Sequence, residues 1–517
     1  MWFFFILMGL CAIAWMTLGN FFRRLNVPVQ INCQLALLIL GVLAVVYYLM
    51  LLQQPSHMMM ENSAMNKEEK KIFYARVGAK ETEPEVIFKQ GVKGYNTSRI
   101  PALVYHKDTF LAFCEARRDT ARDIGHMDII LRRGRRQDWQ VEWGDVQVVA
   151  TRQGYRSMNP VPIVDKTMDI IILVFIQIPA HIDQVTLMKN GVYNQLVLVT
   201  RSFDNGETWT MPQDITESTI ARIKPKPAIY APGPGHGIQM SNGRLVVPGN
   251  YFVKDEIGKL LQYLDNIHNN TNYANVIISD DVGGEQWRVG GSIPLSTDLT
   301  GRPVHSNEAM VVEIDHGQLV LNARTLHADL LRVQSRSIDD GETFSTGELV
   351  KGLVEPGYKI KGDETIPSRA AGCQASLIGF PAPADNKANT WVLFSNPASP
   401  KFRERLSIRI SQDGCQTWSP PWKIHPTASG YSDLTYFESR DPVTGLNSQN
   451  FGIIFEGGKE LPHEAIMFKM FNLEALERGL DILKMHQKKP FDDHIEGEKE
   501  ELIHKKQRGE QAWLNMV

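Results

Sequence analysis

The hydrophobic pattern divides the chain at residue 52. Residues 35–52 are 18 consecutive apolar or aromatic residues, and residues 1–18 form a second apolar stretch. A helix needs roughly 20 residues to cross a bilayer core. Arg23 and Arg24 lie between the stretches, and the first stretch lacks the positive start and cleavage site of a signal peptide. The pattern therefore predicts one or two membrane segments within residues 1–52, preferably as a two-span hairpin.

The two arginines also predict an orientation. Because cytoplasmic loops are enriched in Lys and Arg, a cytoplasmic loop at Arg23 and Arg24 would place everything after residue 52 outside the cell or in a lumen. We therefore expect a membrane-anchored protein of the plasma membrane or the endo-lysosomal system, with a cytosolic orientation as the alternative. Translation from Met65 would remove the apolar leader, and the sequence leaves that alternative open.

Beyond the leader, the pattern changes from polar to β-rich and then to helical. Residues 53–84 are polar, methionine-rich and charged, which is typical of a linker. Residues 85–472 carry short β-rich runs, such as those at 169–178 and 318–324, separated by Gly, Asp and Asn turns. Residues 473–517 begin with helical periodicity and continue with mixed charge. The sequence therefore predicts an all-β domain followed by a short helix and a charged tail.

A repeated motif indicates how the β-rich region is organised. The pattern Ser-x-Asp-x-Gly-x-Thr-aromatic occurs at 202–209 and 337–344, and degraded copies begin at Ser279 and Ser411. The Asp can accept backbone N–H groups in a hairpin turn, the Gly can adopt positive φ, and the aromatic ring can pack beneath. The aspartates are separated by 77, 58 and 74 residues, near the size of a four-stranded propeller blade. About 390 residues would then form a six-bladed β-propeller.

Composition and charge exclude some classes of function. The 517 residues are 43% hydrophobic and 22% charged, as is ordinary for a globular protein, and the formal net charge is -3. This balance provides no basic surface for a phosphate backbone, so no nucleic-acid partner is expected. The five cysteines show no metal-ligand spacing, and no P-loop, dinucleotide or zinc-protease motif occurs. We expect neither a cofactor nor a metal.

The repeats and several other motifs resemble those of the exo-α-sialidases, also called neuraminidases. The resemblance covers nearly the whole domain and includes SRIP at 98–101 and the stretches at 114–134, 156–160, 230–239, 394–411 and 430–434. It implies a sialidase propeller that hydrolyses terminal α-linked sialic acids of glycoproteins, oligosaccharides or gangliosides. It also implies retention of configuration through a tyrosine nucleophile, a known exception to the two-carboxylate rule of glycosidases.

Three arginines are candidates for binding the substrate carboxylate. A sialic acid carries a carboxylate on its anomeric carbon, and planar guanidinium groups pair with carboxylates through two N–H donors. The resemblance implies an arginine triad at Arg99 in SRIP, Arg324 in LNAR and Arg403 in PKFRERL. It further implies that Glu456 in IIFEGG orients the first arginine and that Arg117 contacts the substrate.

The resemblance implies that Tyr431 in GYSDL is the nucleophile. A neutral phenol avoids the repulsion that a carboxylate nucleophile would meet from the substrate carboxylate. Because a free phenol has a pKa of about 10, it needs an adjacent base to withdraw its proton. Glu308 in SNEAMVVEID is the preferred base, and Glu313 is the alternative.

Asp123 in RDIGHMD is the candidate acid/base catalyst, which would protonate the departing alcohol. It aligns with the family's aspartate on a mobile loop. Asp119 and Asp128 lie close by in the sequence and are the alternatives.

Two alternatives to hydrolysis stay open. One is a non-catalytic sialic-acid-binding propeller, because a fold alone does not determine function; the other is sialyl transfer to a second sugar. Sequons at Asn96 and Asn269 would permit glycosylation of a lumenal or extracellular domain. A glycan at Asn96 would crowd Arg99, so we expect that sequon to be unused or the domain to be cytosolic.

Overall fold

The computed structural model describes the β-rich part of the chain. The described residues are 78–183, 186–187, 195–254, 270–297, 303–325, 331–356, 372–383, 388–440 and 447–486. The predicted membrane segments at 1–52, most of the predicted linker, Asn269 and the charged tail lie outside these residues. Within the described ranges, no helix is both long and apolar enough to cross a bilayer.

Antiparallel strands provide nearly all of the regular secondary structure in the described residues, so the all-β prediction is confirmed. The first strands are β1 (Glu85–Lys89), β2 (Thr97–His106), β3 (Thr109–Arg117), β4 (Met127–Gln137), β5 (Gln140–Ala150), β6 (Tyr155–Asp165), β7 (Ile170–Pro179), β8 (Leu196–Ser202) and β9 (Gln213–Asp214). Strands β2 to β9 form one sheet, in which β5 pairs with β4 and a single parallel bridge joins β4 to β6.

The middle strands form smaller sheets. They are β10 (Ile229–Pro232), β11 (Ile238–Gln239), β12 (Leu245–Lys254), β13 (Asn270–Ser279), β14 (Arg288–Ser292), β15 (Ser296–Thr297), β16 (Pro303–Val304), β17 (Ala309–Asp315), β18 (Gln318–Ala323), β19 (Leu331–Ser337) and β20 (Glu348–Val354). Strands β10 to β14 form one sheet, β15 pairs with β16, and β17 to β20 form a four-stranded sheet.

The last strands return to the beginning of the domain. They are β21 (Ser376–Pro381), β22 (Thr390–Pro397), β23 (Glu404–Ser411), β24 (Trp422–Arg440), β25 (Asn447–Gly457) and β26 (Ala465–Asn472), followed by helix α1 (Leu473–His486). Short 3-10 helices occur at Val92–Gly94 and Ile220–Arg222. The long strand β24 pairs first with β23 and then with β25, and β1 pairs with β26. The N-terminal strand therefore completes the last sheet.

Strand β7 shows how neighbouring sheets pack. All of its residues are buried, as expected when both faces of a sheet are covered. Its alternate side chains enter two separate cores: Ile170, Ile172 and Val174 lie in one, and Ile171, Leu173 and Phe175 lie in the other. The predicted β-rich run at 169–178 thus falls largely on β7, and the run at 318–324 falls on β18.

The repeated aspartates stabilise turns, as their pattern predicts. Asp204 Oδ1 accepts the backbone N of Thr208 and the hydroxyl of Ser202, both at 2.8 Å, while Oδ2 accepts the hydroxyl of Thr208. Asp339 and Asp413 make the same three kinds of contact. Gly206 has a φ of 86°, and a Cβ there would lie 2.7 Å from Leu111. The repeat therefore reports local structure, and catalysis has to be sought elsewhere.

Candidate active site

Arg99 lies on β2 at a break in the strand pairing. The register between β2 and β3 shifts between Arg99 and Ala102, and Ile100 has a φ of 60°. Positive φ is costly for a β-branched residue, and Pro101 has no N–H to donate, so the sequence interrupts the regular ladder here. A bulge of this kind re-aims a side chain. Arg99 donates from Nε to Oε1 of Glu456 at 3.0 Å.

Glu456 on β25 is almost completely buried, and its carboxylate accepts three N–H groups. The donors are Arg99 Nε and the backbone N of Ile100, both at 3.0 Å, and the backbone N of Tyr431 at 3.2 Å. Burial alone would raise the pKa of Glu456, but Arg99 and these hydrogen bonds hold that pKa below its usual value. Glu456 therefore stays ionised and connects Arg99 to the strand that carries Tyr431.

Tyr431 lies on β24 where the pairing with β25 shifts register, between residues 429 and 432. Gly430 is required at this shift because a Cβ would collide with the carboxylate of Glu456. The phenol of Tyr431 donates a hydrogen bond to Oε1 of Glu308, which immediately precedes β17. Two sequence-distant candidates are thus in direct contact.

The two candidate bases occupy different places. Glu308 Oε2 accepts Arg324 Nη1 at 2.7 Å, while its Oε1 accepts the phenol of Tyr431. Glu313 lies farther along β17, where it accepts the backbone N and the hydroxyl of Ser241 at 2.7 and 2.8 Å. The geometry therefore favours Glu308 as the base, and Glu313 stabilises a neighbouring turn.

The three candidate arginines surround Tyr431. Arg324 Nη1 is 3.3 Å from the phenol oxygen, and the guanidinium carbons of Arg99 and Arg403 lie 5.4 and 5.6 Å from the ring centroid. Burial and the neighbouring Glu308 raise the pKa of Tyr431 well above its usual value, although the arginines act in the opposite direction. The resting phenol is therefore protonated, in a site that can hold an anion.

Asp123 lies in the loop between β3 and β4, and its side chain is 47% exposed. Its Oδ1 is 2.8 Å from Nη1 of the buried Arg117. Partial burial opposes ionisation of the carboxyl, but Arg117 and Arg99 together lower the pKa of Asp123. A general acid must be protonated, so this contact with Arg117 would have to weaken for Asp123 to act as one.

The alternatives to Asp123 have other surroundings. Asp128 on β4 is buried; one oxygen accepts the hydroxyl of Tyr95 at 2.5 Å and the other bonds Nε2 of His126 at 2.9 Å. Both oxygens thus make structural contacts. Asp119 lies in the loop that contains Asp123, beside Gly125.

Sequence reasoning missed Glu115, the residue that holds Arg117. Glu115 is fully buried, and its Oε2 accepts Arg117 Nε at 3.1 Å and Nη2 at 2.6 Å. Its Oε1 accepts the backbone N of Asn159 at 2.8 Å. The available signal was the spacing of two on β3, which places Glu115 and Arg117 on one face of the strand.

Comparisons with known proteins agree with the fold and with the motifs. Residues 108–441 match the family described as a BNR repeat-like domain. The chain is 32% identical to Sialidase-3 of Bos taurus over 420 residues, which cover 74% of this chain and 91% of that protein. It is 31% identical to Sialidase-2 of Mus musculus over 409 residues, with 76% and 96% covered.

A solved structure supports the β-propeller-like fold. It is described as Hadza microbial sialidase Hz136 and aligns with a TM-score of 0.58 at 23% identity, covering 76% of this chain and 69% of that one. At this level of identity the structural likeness bears on the fold alone. The sequence relatives carry the family assignment and confirm the resemblance seen in the motifs: this chain belongs to the sialidase family of glycoside hydrolases.

Proposed function

We propose that this protein is an exo-α-sialidase that removes terminal α-linked sialic acids with retention of configuration, through a tyrosyl-linked intermediate. The observation that carries the proposal is the contact between the Tyr431 phenol and Glu308, in the middle of three arginines. A buried tyrosine with a carboxylate on its hydroxyl and cations around its ring has the parts of an activated neutral nucleophile.

The arginines would bind the carboxylate of the sialic acid. Arg99 is held by Glu456, and Arg324 is held by Glu308, so two of the three guanidinium groups are oriented before substrate arrives. Preorganised donors of this kind lose little freedom on binding. The bound carboxylate would place the anomeric carbon next to the phenol oxygen of Tyr431.

Tyr431 and Glu308 would carry out the nucleophilic step. Because the resting phenol is protonated, attack requires proton transfer from the phenol to Glu308 as the bond to the anomeric carbon forms. The hydrogen bond from the phenol to Glu308 already lies along that proton path. Arg324 contacts both partners and would stabilise the negative charge that moves between them.

Asp123 would protonate the departing alcohol. In the second half of the reaction it would deprotonate the water that attacks the tyrosyl-linked intermediate, by microscopic reversibility. Its exposed loop position suits a residue that has to meet both a leaving group and water. Two displacements at the anomeric carbon together give retention.

The proposed blade count rests on the strand pairing. Six sets of four antiparallel strands can be traced through the described residues: β2 to β5; β6 to β9; β10 with β12, β13 and β14; β17 to β20; β21 to β23 with the first half of β24; and the second half of β24 with β25, β26 and β1. We assign each set to one blade of a six-bladed propeller. The last set joins both ends of the domain and would close the ring.

The test of this function is hydrolysis of two substrates by the full-length protein in detergent. One is a 4-methylumbelliferyl sialoside, whose phenol leaves readily without a proton, and the other is sialyllactose, whose alcohol needs one. Asp123→Ala should lower kcat/KM for sialyllactose by about 10²–10³-fold but for the aryl sialoside by only about tenfold or less.

Asp119→Ala is the matched control, since it removes a carboxylate from the same loop. It should retain most activity on both substrates. Equal losses on the two substrates in Asp123→Ala would remove Asp123 from the general-acid role. A folded wild-type protein that binds sialic acid without turning over either substrate would instead be a sialic-acid-binding propeller.

For the cellular setting, we propose that residues 1–52 anchor the enzyme and that its domain faces outward or into a lumen, where glycoproteins, oligosaccharides and gangliosides carry sialic acids. The apolar pattern of the leader and its central arginines support this. Full-length protein should remain in the pellet after alkaline carbonate extraction, while residues 53–517 should be released with activity intact. Recovery of the truncated protein in the pellet would contradict the anchor, and an N-glycan on Asn269 would report the lumenal orientation.

A further inference from the structure

Gly372, just before β21, contacts two of the three arginines. Its carbonyl oxygen accepts Arg403 Nη2 at 3.0 Å. Its φ is 83°, and a Cβ would lie 3.0 Å from Cγ of Arg324 and 2.9 Å from the carbonyl oxygen of Thr325. Such distances require a neighbour to move. Arg324 therefore packs where a side chain at position 372 would lie, and Arg403 is held by the backbone of the same residue.

The next peptide is anchored by a buried ion pair. Arg332 and Glu355 are both fully buried, and Arg332 Nη1 is 2.8 Å from Glu355 Oε1. Glu355 Oε2 accepts the backbone N of Cys373 at 2.9 Å, and Arg332 Nη1 donates to the carbonyl oxygen of Cys373 at 2.9 Å. Buried charges persist only when their remaining hydrogen-bonding capacity is satisfied in good geometry. The backbone N–H and carbonyl of Cys373 supply hydrogen bonds to both partners of this ion pair, and these bonds hold the Cys373 backbone in place.

Gln374 binds the backbone of the strand that carries the nucleophile. Its Oε1 accepts the backbone N of Ser432 at 3.0 Å, and its Nε2 donates to the Ser432 carbonyl oxygen at 3.0 Å. Ser432 follows Tyr431 directly, at the place where β24 and β25 shift register. Nε2 also contacts the carbonyl oxygens of Pro234 and Ala375. A buried side-chain amide thus takes the place of a ladder contact beside the nucleophile.

We propose that residues 372–374 are a positioning segment for the active site. Gly372 acts through Arg324 and Arg403 on carboxylate binding, and Gln374 acts through Ser432 on the placement of Tyr431. The Arg332–Glu355 ion pair anchors the segment between them. The inference rests on the proposed sialidase function, but it assigns separate effects on binding and on turnover that this function alone does not require.

The binding half is tested by Gly372→Ala against Gly352→Ala. Gly352 has a similar φ of 88°, but a Cβ there meets nothing within 4 Å. Gly352→Ala therefore introduces the same backbone strain as Gly372→Ala without a steric clash. Calorimetry with N-acetylneuraminic acid should show a Kd raised about tenfold in Gly372→Ala, because the arginines are displaced. Gly352→Ala should bind like the wild type.

The turnover half is tested by Gln374→Met against Gln195→Met. Gln195 makes the same two-point contact with the backbone N and O of Tyr230, both at 2.8 Å, away from the nucleophile. Gln374→Met should lower kcat by about 10- to 100-fold, as expected for a nucleophile displaced by a fraction of an ångström, and leave the Kd within about twofold. Gln195→Met should change thermal stability only, with kcat per folded molecule preserved.

The inference requires that Gly372→Ala changes mainly the Kd and that Gln374→Met changes mainly kcat. A general loss of stability would not separate the two constants in this way. Wild-type constants in both variants, or parallel losses in variants and controls, would overturn the inference while the sialidase function stands. A wild-type protein that neither hydrolyses the aryl sialoside nor binds sialic acid would overturn both. If Gln374→Met does not fold, Gln374→Glu is measured in its place. It keeps the acceptor for the backbone N of Ser432 but loses the donor to the Ser432 carbonyl oxygen, so kcat should still fall, by less than about 10-fold. If neither variant folds while Gln195→Met does, Gln374 is needed for folding and the inference about turnover is overturned.

Discussion

Replacing Tyr431 with phenylalanine is expected to lower kcat by about 10³-fold or more, while the Kd for N-acetylneuraminic acid changes little. The phenol oxygen is the only atom removed, and it is the atom proposed to bond the anomeric carbon. The three arginines that would bind the carboxylate stay in place, because Glu456 and Glu308 hold two of them independently of that hydroxyl. Kinetics on the aryl sialoside and calorimetry separate the two quantities.

Tyr436→Phe is the matched control for this experiment. Tyr436 lies on the same strand, β24, and its hydroxyl donates to Oε1 of Glu438 at 2.7 Å, so the control also removes a tyrosine–glutamate hydrogen bond. It should have wild-type kcat and KM. If Tyr431→Phe retained full activity, the nucleophile assignment would be wrong; if it lost binding as well, Tyr431 would act mainly in shaping the carboxylate site.

Replacing Glu456 with alanine is expected to lower the free energy of unfolding by about 3 kcal/mol and to remove most activity. The variant leaves Arg99, whose side chain is only 16% exposed, without its carboxylate partner. It also removes the acceptor for the backbone N–H groups of Ile100 and Tyr431. Chemical denaturation gives the stability change, and the Kd for sialic acid should rise because Arg99 is no longer oriented.

Glu464→Ala provides the comparison for a carboxylate that accepts several N–H groups without holding an arginine of the site. Glu464 accepts the backbone N–H groups of Lys459, Glu460 and Leu461 in an exposed turn. Its loss should cost about 1 kcal/mol or less and leave the Kd unchanged. A Glu456→Ala protein with wild-type stability and affinity would contradict the proposed orienting role.

Several features of the fold could be predicted because they depend on neighbouring residues. The repeated aspartates form turns with residues two to four positions away, so their pattern is complete within one short segment. The continuous apolar run on β7 predicts a buried strand for the same reason. The leader of residues 1–52 remains a prediction from hydropathy. Helix α1 (Leu473–His486) follows β26 directly and lies where the sequence changes from β-rich to helical periodicity.

The candidate site was reached by motif resemblance, because its parts are distant along the chain. Arg99 and Glu456 are 357 positions apart, and Glu308 and Tyr431 are 123 apart. Each motif identifies one candidate residue, but the partner that determines the chemistry of that residue lies in another motif, far away in the sequence. The high pKa of Tyr431 and the low pKa of Asp123 depend on burial and on charges from other strands, which no local pattern encodes.

The sequence by itself therefore determined the β-rich domain, its turns, its apolar leader and the residue types available for sialic acid chemistry. Only the tertiary structure decided which carboxylate faces the phenol, which residue holds Arg117, and how Gly372 and Gln374 contact the arginines and the nucleophile strand. The physical reason is the distance along the chain over which each kind of interaction acts. Strand periodicity and turn chemistry act over a few residues, whereas a buried charge or amide finds its partners wherever the sheets bring them together.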